Sequence, residues 1–287
     1  MARGGARRQH PPRLKTPMPL PRRWQDLCWT DFAALPANTV AVLPVAAIEQ
    51  HGPHLPLSVD AVIGEGVIAA ALRRLPQDAP VLVLPTQAVA NSVEHTRFPG
   101  TLSTTPETLL ALVTDIGESV ARAGVRRLVL CNSHGGNAPV LEIAARRIRI
   151  RANILAVTTA WARLGRPEGP RDPQEATYGL HAGREETSLM LALAPERVRM
   201  ERAAAFASDW QRVSNAQPEL HPAAGASLSW QAQDLNPAGA VGDAAGATAE
   251  AGAALLDHAA RRLAALFLAV AAFDVDAWLK AEPSARA

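Results

Sequence analysis

Four short apolar runs, rich in β-branched residues, alternate with longer helical stretches along this sequence. The runs occupy residues 40–45, 81–84, 128–130 and 154–159. Apolar runs of this length between helices are typical of parallel strands that are buried on both faces. Successive strand–helix–strand units cross over in the right-handed sense and place their strands in one sheet. The alternation therefore predicts an α/β fold: a single domain with a central, mostly parallel β-sheet flanked by helices.

The helices are predicted from composition and from their end signals. They are expected over residues 60–74, 104–123, 140–150 and 249–273. The second begins with Thr104-Thr-Pro-Glu107, a capping-box pattern with proline in the first turn, and Gly124 ends it. Residues 217–246, rich in Ala, Gly and Pro, are predicted as a long connection that packs over the domain or against another subunit.

Composition and charge exclude two classes of protein. The chain is 48% hydrophobic and 20% charged, an ordinary composition for a soluble globular protein. It lacks the roughly 18 consecutive apolar residues of a membrane span, so no membrane partner is expected. Five of its positive charges lie in residues 1–17, which contain no acid, so the remainder is mildly acidic despite the net charge of +2. No basic surface for nucleic acid is predicted.

The N-terminal segment and the cysteines bear on domain limits and location. Residues 1–22 carry arginine pairs without a following apolar stretch, so they are predicted as a disordered basic leader and not a secretory signal. Met18 is an alternative initiator, and residues 23–280 are predicted as the folded domain. Two distant cysteines, Cys28 and Cys131, provide no disulfide framework and no thiolate zinc site. A reducing, cytoplasmic location is therefore expected.

The first of three polar clusters follows the first predicted strand. In an open α/β sheet, ligands bind beyond the carboxyl ends of the strands. Glu49 and His51 lie in the segment LPVAAIEQHGPHLPLSVDA. Because they are two residues apart in an extended segment, their side chains share one face and can reach one metal ion. Asp60 follows at the start of the next helix, where an anion is favoured.

The second cluster, CNSHGGNAP, places His134 after the predicted strand 128–130. Gly135 and Gly136 allow close approach of the backbone, and Asn137 is expected to cap the following helix. A single histidine at a strand end is also explained as a hydrogen-bonded core residue. This cluster alone therefore does not distinguish a ligand from a structural group.

The third cluster, HAGREETSLML, places His181, Glu185 and Glu186 ahead of an apolar helix. Imidazoles and carboxylates without thiolates suit zinc, manganese or iron in a hydrolytic site. A carboxylate that bridges two ions forms a binuclear centre, in which a bridging hydroxide is the nucleophile at neutral pH. Glu185 is also explained as a solvated helix charge, and Asp60 as a helix cap. The residues alone thus leave a metal site and ordinary polar loops as alternatives.

Four segments together resemble the signature blocks of the creatininase family of metal-dependent amidohydrolases. They are LPVAAIEQHGPHLPLSVDA, EHTRFPGT, NSHGGN and HAGREETSLML, in the family's order over about residues 40–195. The glycine-rich GAVGDAAGATAEAG before the last long helix is also similar. The resemblance implies an α/β fold with a mostly parallel sheet, a binuclear metal centre and a hexameric assembly, so a homohexamer is expected.

The resemblance also implies a ligand set and a cofactor. Glu49, Asp60 and His134 would hold one metal ion, and His51 and Asp60 would hold the other, with Asp60 bridging. Two divalent ions per subunit are expected, zinc in the first place, with manganese or iron as alternatives.

The sequence departs from the creatinine-hydrolysing members beside the metal-binding histidine. Those members carry Tyr and Glu directly after it, and that Glu ligates the second ion. This chain has Gly135 and Gly136 there, so Glu186 is the candidate for the missing ligand. The position three after His181, often Glu in the Gly-Gly members, is Arg184 here, which weakens any role assigned to that position.

The remaining histidines of the blocks receive roles through the same resemblance. His181 is expected to carry a proton to the leaving nitrogen. His95 in EHTRFPGT is expected to reach the pocket and, with Gly135 and Gly136, to contact substrate, although a buried structural histidine is an alternative. His54, in a proline-flanked turn, is expected to be structural.

The expected function is a metal-dependent hydrolase that acts on a non-peptide or terminal amide C–N bond. The substrate classes are a creatinine-type lactam, a formamide, or a modified peptide that is trimmed. Loss of the Tyr-Glu pair argues against creatinine. A serine esterase, suggested by HGGN, requires a G-x-S-x-G elbow, and GESVA at 117 and GASLS at 225 both lack the final glycine. A non-catalytic metal-binding scaffold is the third alternative.

Overall fold

The computed structural model describes residues 22–169 and 171–279. The predicted leader, residues 1–22, lies outside the described residues except for Arg22, and its assignment stays a prediction. The strands are β1 (Val40–Val45), β2 (Val81–Val83), β3 (Arg127–Asn132), β4 (Leu155–Ala160), β5 (Ala205–Phe206) and β6 (Gly242–Asp243). The helices are α1 (Val59–Leu72), α2 (Pro106–Arg122), α3 (Ala138–Ala152), α4 (Pro173–Tyr178), α5 (Arg184–Leu193), α6 (Asp209–Ala216), α7 (Ala232–Leu235), α8 (Ala249–Ala272) and α9 (Val275–Trp278).

The first four strands form one parallel sheet in the order β2-β1-β3-β4. Strand β1 lies in the interior of the sheet and pairs with β3 along its full length, from Val40 opposite Arg127 to Val45 opposite Asn132. Strands β5 and β6 form a separate antiparallel pair. The predicted fold class, an α/β domain with a mostly parallel sheet between helices, is confirmed.

Each face of the sheet is covered by its own helical layer. Val40 and Val42 of β1 belong to a core shared with α1, α5 and α8. Ala41, Leu43 and Val45 of the same strand belong to a core shared with α2 and α3. Successive side chains of a strand point to opposite faces, so a strand that is apolar at every position needs burial on both sides. This explains why the β1 run contains no polar side chain.

Helices α5 and α8 pack against each other at very short range. A Cβ at Gly252 of α8 would collide with the backbone carbonyl of Ser188 in α5. Only glycine permits this approach, although it is unfavourable in a helix by about 1 kcal/mol relative to alanine. The contact fixes α5, which carries part of the site described below.

Two predicted helix caps are wrong. The N-cap of α2 is Thr105, whose hydroxyl accepts a hydrogen bond from the Thr108 amide, and not Thr104. Asn137 precedes α3 but makes no capping hydrogen bond to it. Its side-chain NH2 group instead donates to the Ala46 carbonyl, and its side-chain oxygen accepts from the backbone amide of Asn91. These tertiary contacts occupy the groups that would otherwise cap the helix. Strand β3 also continues past the predicted end at residue 130 to Asn132.

The long connection over residues 217–246 packs over the domain, as one of the two predicted alternatives stated. Its Gly239 carbonyl accepts a hydrogen bond from the Gln50 side-chain amide at 2.8 Å, and Val241 forms an isolated antiparallel β-bridge with His181. The connection therefore covers the carboxyl end of β1. In the part of the chain described, no helix combines the length and apolar character that crossing a bilayer requires.

Candidate metal centre

Six titratable side chains converge at the carboxyl end of the parallel sheet, where the predicted clusters were expected to meet. Two come from the loop after β1, one from the first turn of α1, one from the loop after β3, and two from the start of α5 and the turn before it. We call them the acid–histidine cluster: Glu49, His51, Asp60, His134, His181 and Glu186.

Glu49 lies at the centre of this cluster and is fully buried. Its Oε2 accepts a hydrogen bond from the Ser92 hydroxyl at 2.6 Å, which fixes the carboxylate. Its Oε1 has no hydrogen-bond partner. Four imidazole nitrogens lie within 4 Å of that atom: His134 Nδ1 at 3.2 Å, His95 Nε2 at 3.4 Å, His181 Nδ1 at 3.7 Å and His51 Nε2 at 3.9 Å.

Asp60 presents one oxygen to each of two histidines. Its Oδ1 is 3.7 Å from His51 Nε2, and its Oδ2 is 3.5 Å from His134 Nδ1. The His51 ring is oriented by its Nδ1, which donates to the Glu49 carbonyl at 3.1 Å and leaves Nε2 directed into the cluster. A carboxylate placed between two imidazoles in this way has the arrangement of a bridging ligand.

Glu186 lies beside His51 on the other side of the cluster. Its Oε2 is 3.9 Å from His51 Nε2 and accepts a hydrogen bond from the Ala182 amide at 2.6 Å. Ala182 has a left-handed backbone with φ of 56°, a conformation that costs a residue with a Cβ on the order of 1 kcal/mol. The strain is tolerated at a position where the amide holds a cluster carboxylate, which is typical of functional sites.

The two residues that precede Glu186 in the sequence, Arg184 and Glu185, have partners outside the cluster. Glu185, which is also explained as a solvated helix charge, is partly exposed and pairs with Arg166, at 2.7 Å between its Oε1 and the arginine Nε. Arg184 pairs with Asp243 of β6. Of the three residues, the structure therefore brings only Glu186 into the cluster.

The donor atoms fit a metal ion. Three sets of ligand atoms each lie within 4.8 Å of one another: Glu49–Asp60–His134, His51–Asp60–Glu186 and Glu49–His51–His181. Buried atoms of the first two sets, Glu49 Oε1, Asp60 Oδ2 and His51 Nε2, have no hydrogen-bond partner. Each such orphaned atom costs about 1–3 kcal/mol unless something satisfies it. Nitrogen and oxygen donors without sulfur suit zinc, manganese or iron.

Burial and the close charges of the cluster shift the pKa values of its members. Burial lowers the pKa of His51, but three neighbouring carboxylates outweigh it and raise the pKa to about 9. Burial raises the pKa of Glu49, but the imidazoles around it outweigh this and hold the pKa well below its usual range. Burial, with Asp60 and Glu49 nearby, raises the pKa of Glu186 to about 7. A cation entering the cluster would therefore have to displace protons.

Gln50 orients two histidines: His181 of the cluster and His95 beside it. His181 Nε2 donates to the Gln50 carbonyl at 2.7 Å, so its Nδ1 faces Glu49. The Gln50 side-chain amide donates to His95 Nδ1 and to the Gly239 carbonyl, each at 2.8 Å. Burial, reinforced by nearby imidazoles, lowers the pKa of His95 to about 4 and that of His181 well below its usual value. Both rings are therefore neutral at pH 7.

The other predicted site residues are placed as follows. Gly135 and Gly136 begin a short 3-10 helix directly after His134, with Gly135 exposed and Gly136 half-buried. Contact of His95, Gly135 or Gly136 with substrate stays a prediction. His54 is fully buried, with its Nε2 3.0 Å from the Thr187 hydroxyl, which agrees with a structural role.

Three polar residues that contact the cluster or its histidines were not predicted: Gln50, Ser92 and Glu94. Gln50 stands between two predicted ligands, and the other two precede His95 by three residues and by one. Their positions inside or beside the quoted blocks were a usable signal. Their residue types were not, because polar side chains in a loop are usually solvated.

The chain is similar in sequence to proteins of one known family. A sequence model of the creatininase family, described as creatinine amidohydrolase, matches residues 25–267. The mycofactocin precursor peptide peptidase of Mycobacterium tuberculosis strain H37Rv is 36% identical over 234 residues, covering 78% of this chain and 84% of the relative.

Solved structures share the fold. A putative creatinine amidohydrolase from Bacteroides fragilis superimposes with a TM-score of 0.72 at 25% identity, covering 86% of this chain and 95% of the other. A manganese form of creatininase superimposes with a TM-score of 0.65 at 28% identity, covering 85% and 96%. The family match spans most of the chain, and this protein belongs to the creatininase family of amidohydrolases.

Proposed function

We propose that this protein is a metal-dependent hydrolase that cleaves an amide C–N bond with two divalent ions per subunit. The observation that carries the proposal is the position of Asp60, which directs one oxygen to His51 and the other to His134. Such a carboxylate serves two ions at once. The manganese form of a creatininase with the same fold supports the binding of a divalent metal.

The distances support two ligand sets. Glu49, Asp60 and His134 would hold one ion, and His51, Asp60 and Glu186 would hold the other. Zinc is the first choice, with manganese or iron as alternatives, because the donors are imidazoles and carboxylates. When bound, the two ions would supply a hydroxide held between them as nucleophile and would stabilise the charge that develops on the amide oxygen.

The proton for the departing nitrogen is assigned to His181. An amide anion is a very poor leaving group, so the nitrogen must be protonated as it leaves. His181 is neutral at pH 7, and its Nδ1, 3.7 Å from Glu49 Oε1, faces the cluster. Its Nε2 is held by the Gln50 carbonyl, which keeps the ring in that orientation. It can take at Nδ1 the proton that the nucleophile loses on attack and release it to the leaving nitrogen, a task typically worth about 10²–10⁴-fold in rate.

Within the family, a peptide-trimming activity is the favoured substrate class. The mycofactocin precursor peptide peptidase, with 36% identity over most of both chains, supports it. The Gly135-Gly136 pair supports it as well, because creatinine-hydrolysing members carry Tyr and Glu there. A formamide hydrolase is the second candidate, since the same pair resembles those members. His95, Gly135 and Gly136 are proposed to contact the substrate.

The assembly and location proposed are a homohexamer in the cytoplasm. The hexamer rests on family resemblance, and the location rests on the two distant cysteines. Mass photometry of the purified chain should find a species near six subunits. A stable monomer with full activity would contradict the hexamer.

The function is tested by metal analysis and a substrate panel. The protein is stripped with chelator, reloaded with zinc, manganese or iron, and assayed on creatinine, a formamidopyrimidine and the mycofactocin precursor peptide. About two equivalents of metal and metal-dependent cleavage of the peptide are expected. A folded, unchelated protein without bound metal would refute the metal-dependent mechanism. Turnover of creatinine or the formamidopyrimidine alone would refute the peptide assignment and leave the mechanism intact.

A further inference from the structure

Glu94 occupies the space that a side chain at position 136 would need. It lies in a short 3-10 helix, Val93–His95, on a different loop from the second polar cluster. A Cβ placed on Gly136 would overlap with the Glu94 carboxylate and would lie 2.6 Å from His134 Nε2. The carboxylate is 14% exposed, so it is largely withdrawn from solvent. The absent side chain at 136 is thus replaced by one that arrives from elsewhere in the sequence.

The Glu94 carboxylate faces the side of the His134 ring that points away from the cluster. Glu94 Oε1 is 3.2 Å from His134 Nε2, without the alignment of a well-formed hydrogen bond. The other ring nitrogen, Nδ1, faces Glu49 and Asp60. In the described part of the chain, none of the three ligand-atom sets includes Glu94. It therefore stands behind a cluster residue and is not itself placed to bind the ion.

The loop that carries Glu94 is tied to the loop that carries His134. The Asn91 side-chain amide donates to the Gly136 carbonyl at 3.1 Å, and the Asn91 backbone amide donates to Asn137 Oδ1 at the same distance. These two bonds, both from Asn91, hold the two loops together next to the Glu94–His134 contact. The carboxylate is therefore positioned by the fold and not by the contact alone.

We propose that Glu94 is a positioning residue that accepts the Nε2 proton of His134 in a hydrogen bond and thereby directs the Nδ1 lone pair at the metal centre. The proposal rests on the metal-dependent function proposed above. A histidine that binds a metal through one nitrogen generally donates its other N–H to a carboxylate or carbonyl, which fixes tautomer and orientation. Loss of such a partner typically lowers metal affinity by roughly 10–100-fold.

The test compares Glu94→Gln and Glu94→Ala with the wild type and with Glu65→Gln. Glu65 is exposed on α1, so its variant changes the net charge equally but leaves the cluster untouched. The two zinc affinities of the stripped full-length protein are measured by competition with a chromophoric chelator. The visible absorption of the cobalt(II)-loaded protein reports the ligand geometry, and circular dichroism reports folding.

Glu94→Ala is expected to lower the affinity for one of the two ions by roughly 10–100-fold. The affinity for the other ion should stay unchanged, because only His134 loses a partner. Glu94→Gln is nearly isosteric and keeps an acceptor oxygen without the charge, so an intermediate loss is expected. The cobalt spectrum should change in the same order, whereas Glu65→Gln should match the wild type.

Three results would overturn the positioning role. The first is an unchanged affinity for both ions in Glu94→Ala, and the second is an equal loss of affinity for both ions in that variant. The third is a Glu94→Gln variant with wild-type affinities, since a residue that merely fills space tolerates an isosteric amide. If Glu94→Ala does not fold, the Gln variant decides by the same criteria. A wild-type protein that binds no metal would instead refute the proposed function, so the two failures are distinguishable.

Discussion

Replacing Asp60 by Asn should abolish binding of both metal ions, whereas His51→Gln and His134→Gln should each abolish binding of one. The reason is that the two Asp60 oxygens face different histidines, Oδ1 at 3.7 Å from His51 and Oδ2 at 3.5 Å from His134. The amide of Asn has one oxygen and no charge, so it cannot serve two cations. Each histidine belongs to only one of the two proposed ligand sets.

The size of the effect can be worked out from ligand linkage. An ion present at 100 times its dissociation constant stabilises the folded state by about 2.7 kcal/mol. Two independent ions then contribute about 5 kcal/mol, and each kcal/mol raises the Tm of a domain of this size by about 2–4 °C. The wild type should therefore gain roughly 10–20 °C on metal addition. Each histidine variant should gain about half of that, and Asp60→Asn almost nothing.

The assay is differential scanning calorimetry of stripped protein with and without metal, paired with elemental analysis after dialysis. Comparing each variant with its own stripped form removes any effect of the substitution on the metal-free fold. If Asp60→Asn still binds one equivalent of metal and shows half of the wild-type rise in Tm on metal addition, the carboxylate serves only one ion. Equal loss in all three variants would also count against a bridge.

The other predictions concern single groups of the cluster. His181→Ala should keep the fold and both ions but lose about 10²–10⁴-fold in kcat; loss of metal in that variant would make His181 a ligand. Glu186→Gln should weaken the binding of one ion, whereas Glu185→Gln, which loses only its ion pairs with Arg166 and Arg171, should bind both ions as the wild type does; the reverse pattern would place the ligand at position 185. Metal binding at pH 7 should release protons, because the raised pKa of His51, about 9, keeps its imidazole protonated until a cation displaces the proton. Affinity should therefore fall as pH falls below 9, and calorimetric titration in buffers of different ionisation enthalpy should detect the release; a heat independent of buffer would contradict it.

The sheet could be predicted from the sequence because its central strand is apolar at every position. The run at residues 40–45 coincides with β1, since a strand buried on both faces has only one pattern available to it. The end of β3 could not be predicted in this way. Asn132 is polar, yet it extends the strand because it pairs with Val45 on one side and Ala160 on the other. Pairing of this kind depends on neighbours that are distant in sequence.

Local signals also failed where two residues were equally suited. Thr104 and Thr105 are the same residue type, and the capping-box pattern favoured the first because of Glu107. The structure uses Thr105, which places Pro106 at the first helical position, where its fixed φ and missing amide hydrogen cost nothing. The proline was therefore the stronger of the two signals.

The members of the acid–histidine cluster were predictable because they stand in compact blocks beside strand or helix ends. The residues that orient them were not. Ser92 holds Glu49, and Gln50 holds His181, through contacts that span 43 and 131 residues respectively. Neither contact has a periodic or spacing signal. Such residues are identified only when the fold brings distant loops together.

The two glycines after His134 could not be distinguished from the sequence, but their surroundings in the structure differ. A Cβ at Gly135 would meet no atom within 4 Å, whereas one at Gly136 would overlap with the Glu94 carboxylate. Gly135 therefore leaves open space next to His134, at the position to which the family resemblance assigns a tyrosine in the creatinine-hydrolysing members. Gly136 leaves none, because Glu94 has taken its place. The open space at Gly135 leaves room for the peptide substrate proposed above. At Gly136 there is no side chain, and the carboxylate that lies next to His134 comes from Glu94 on another loop.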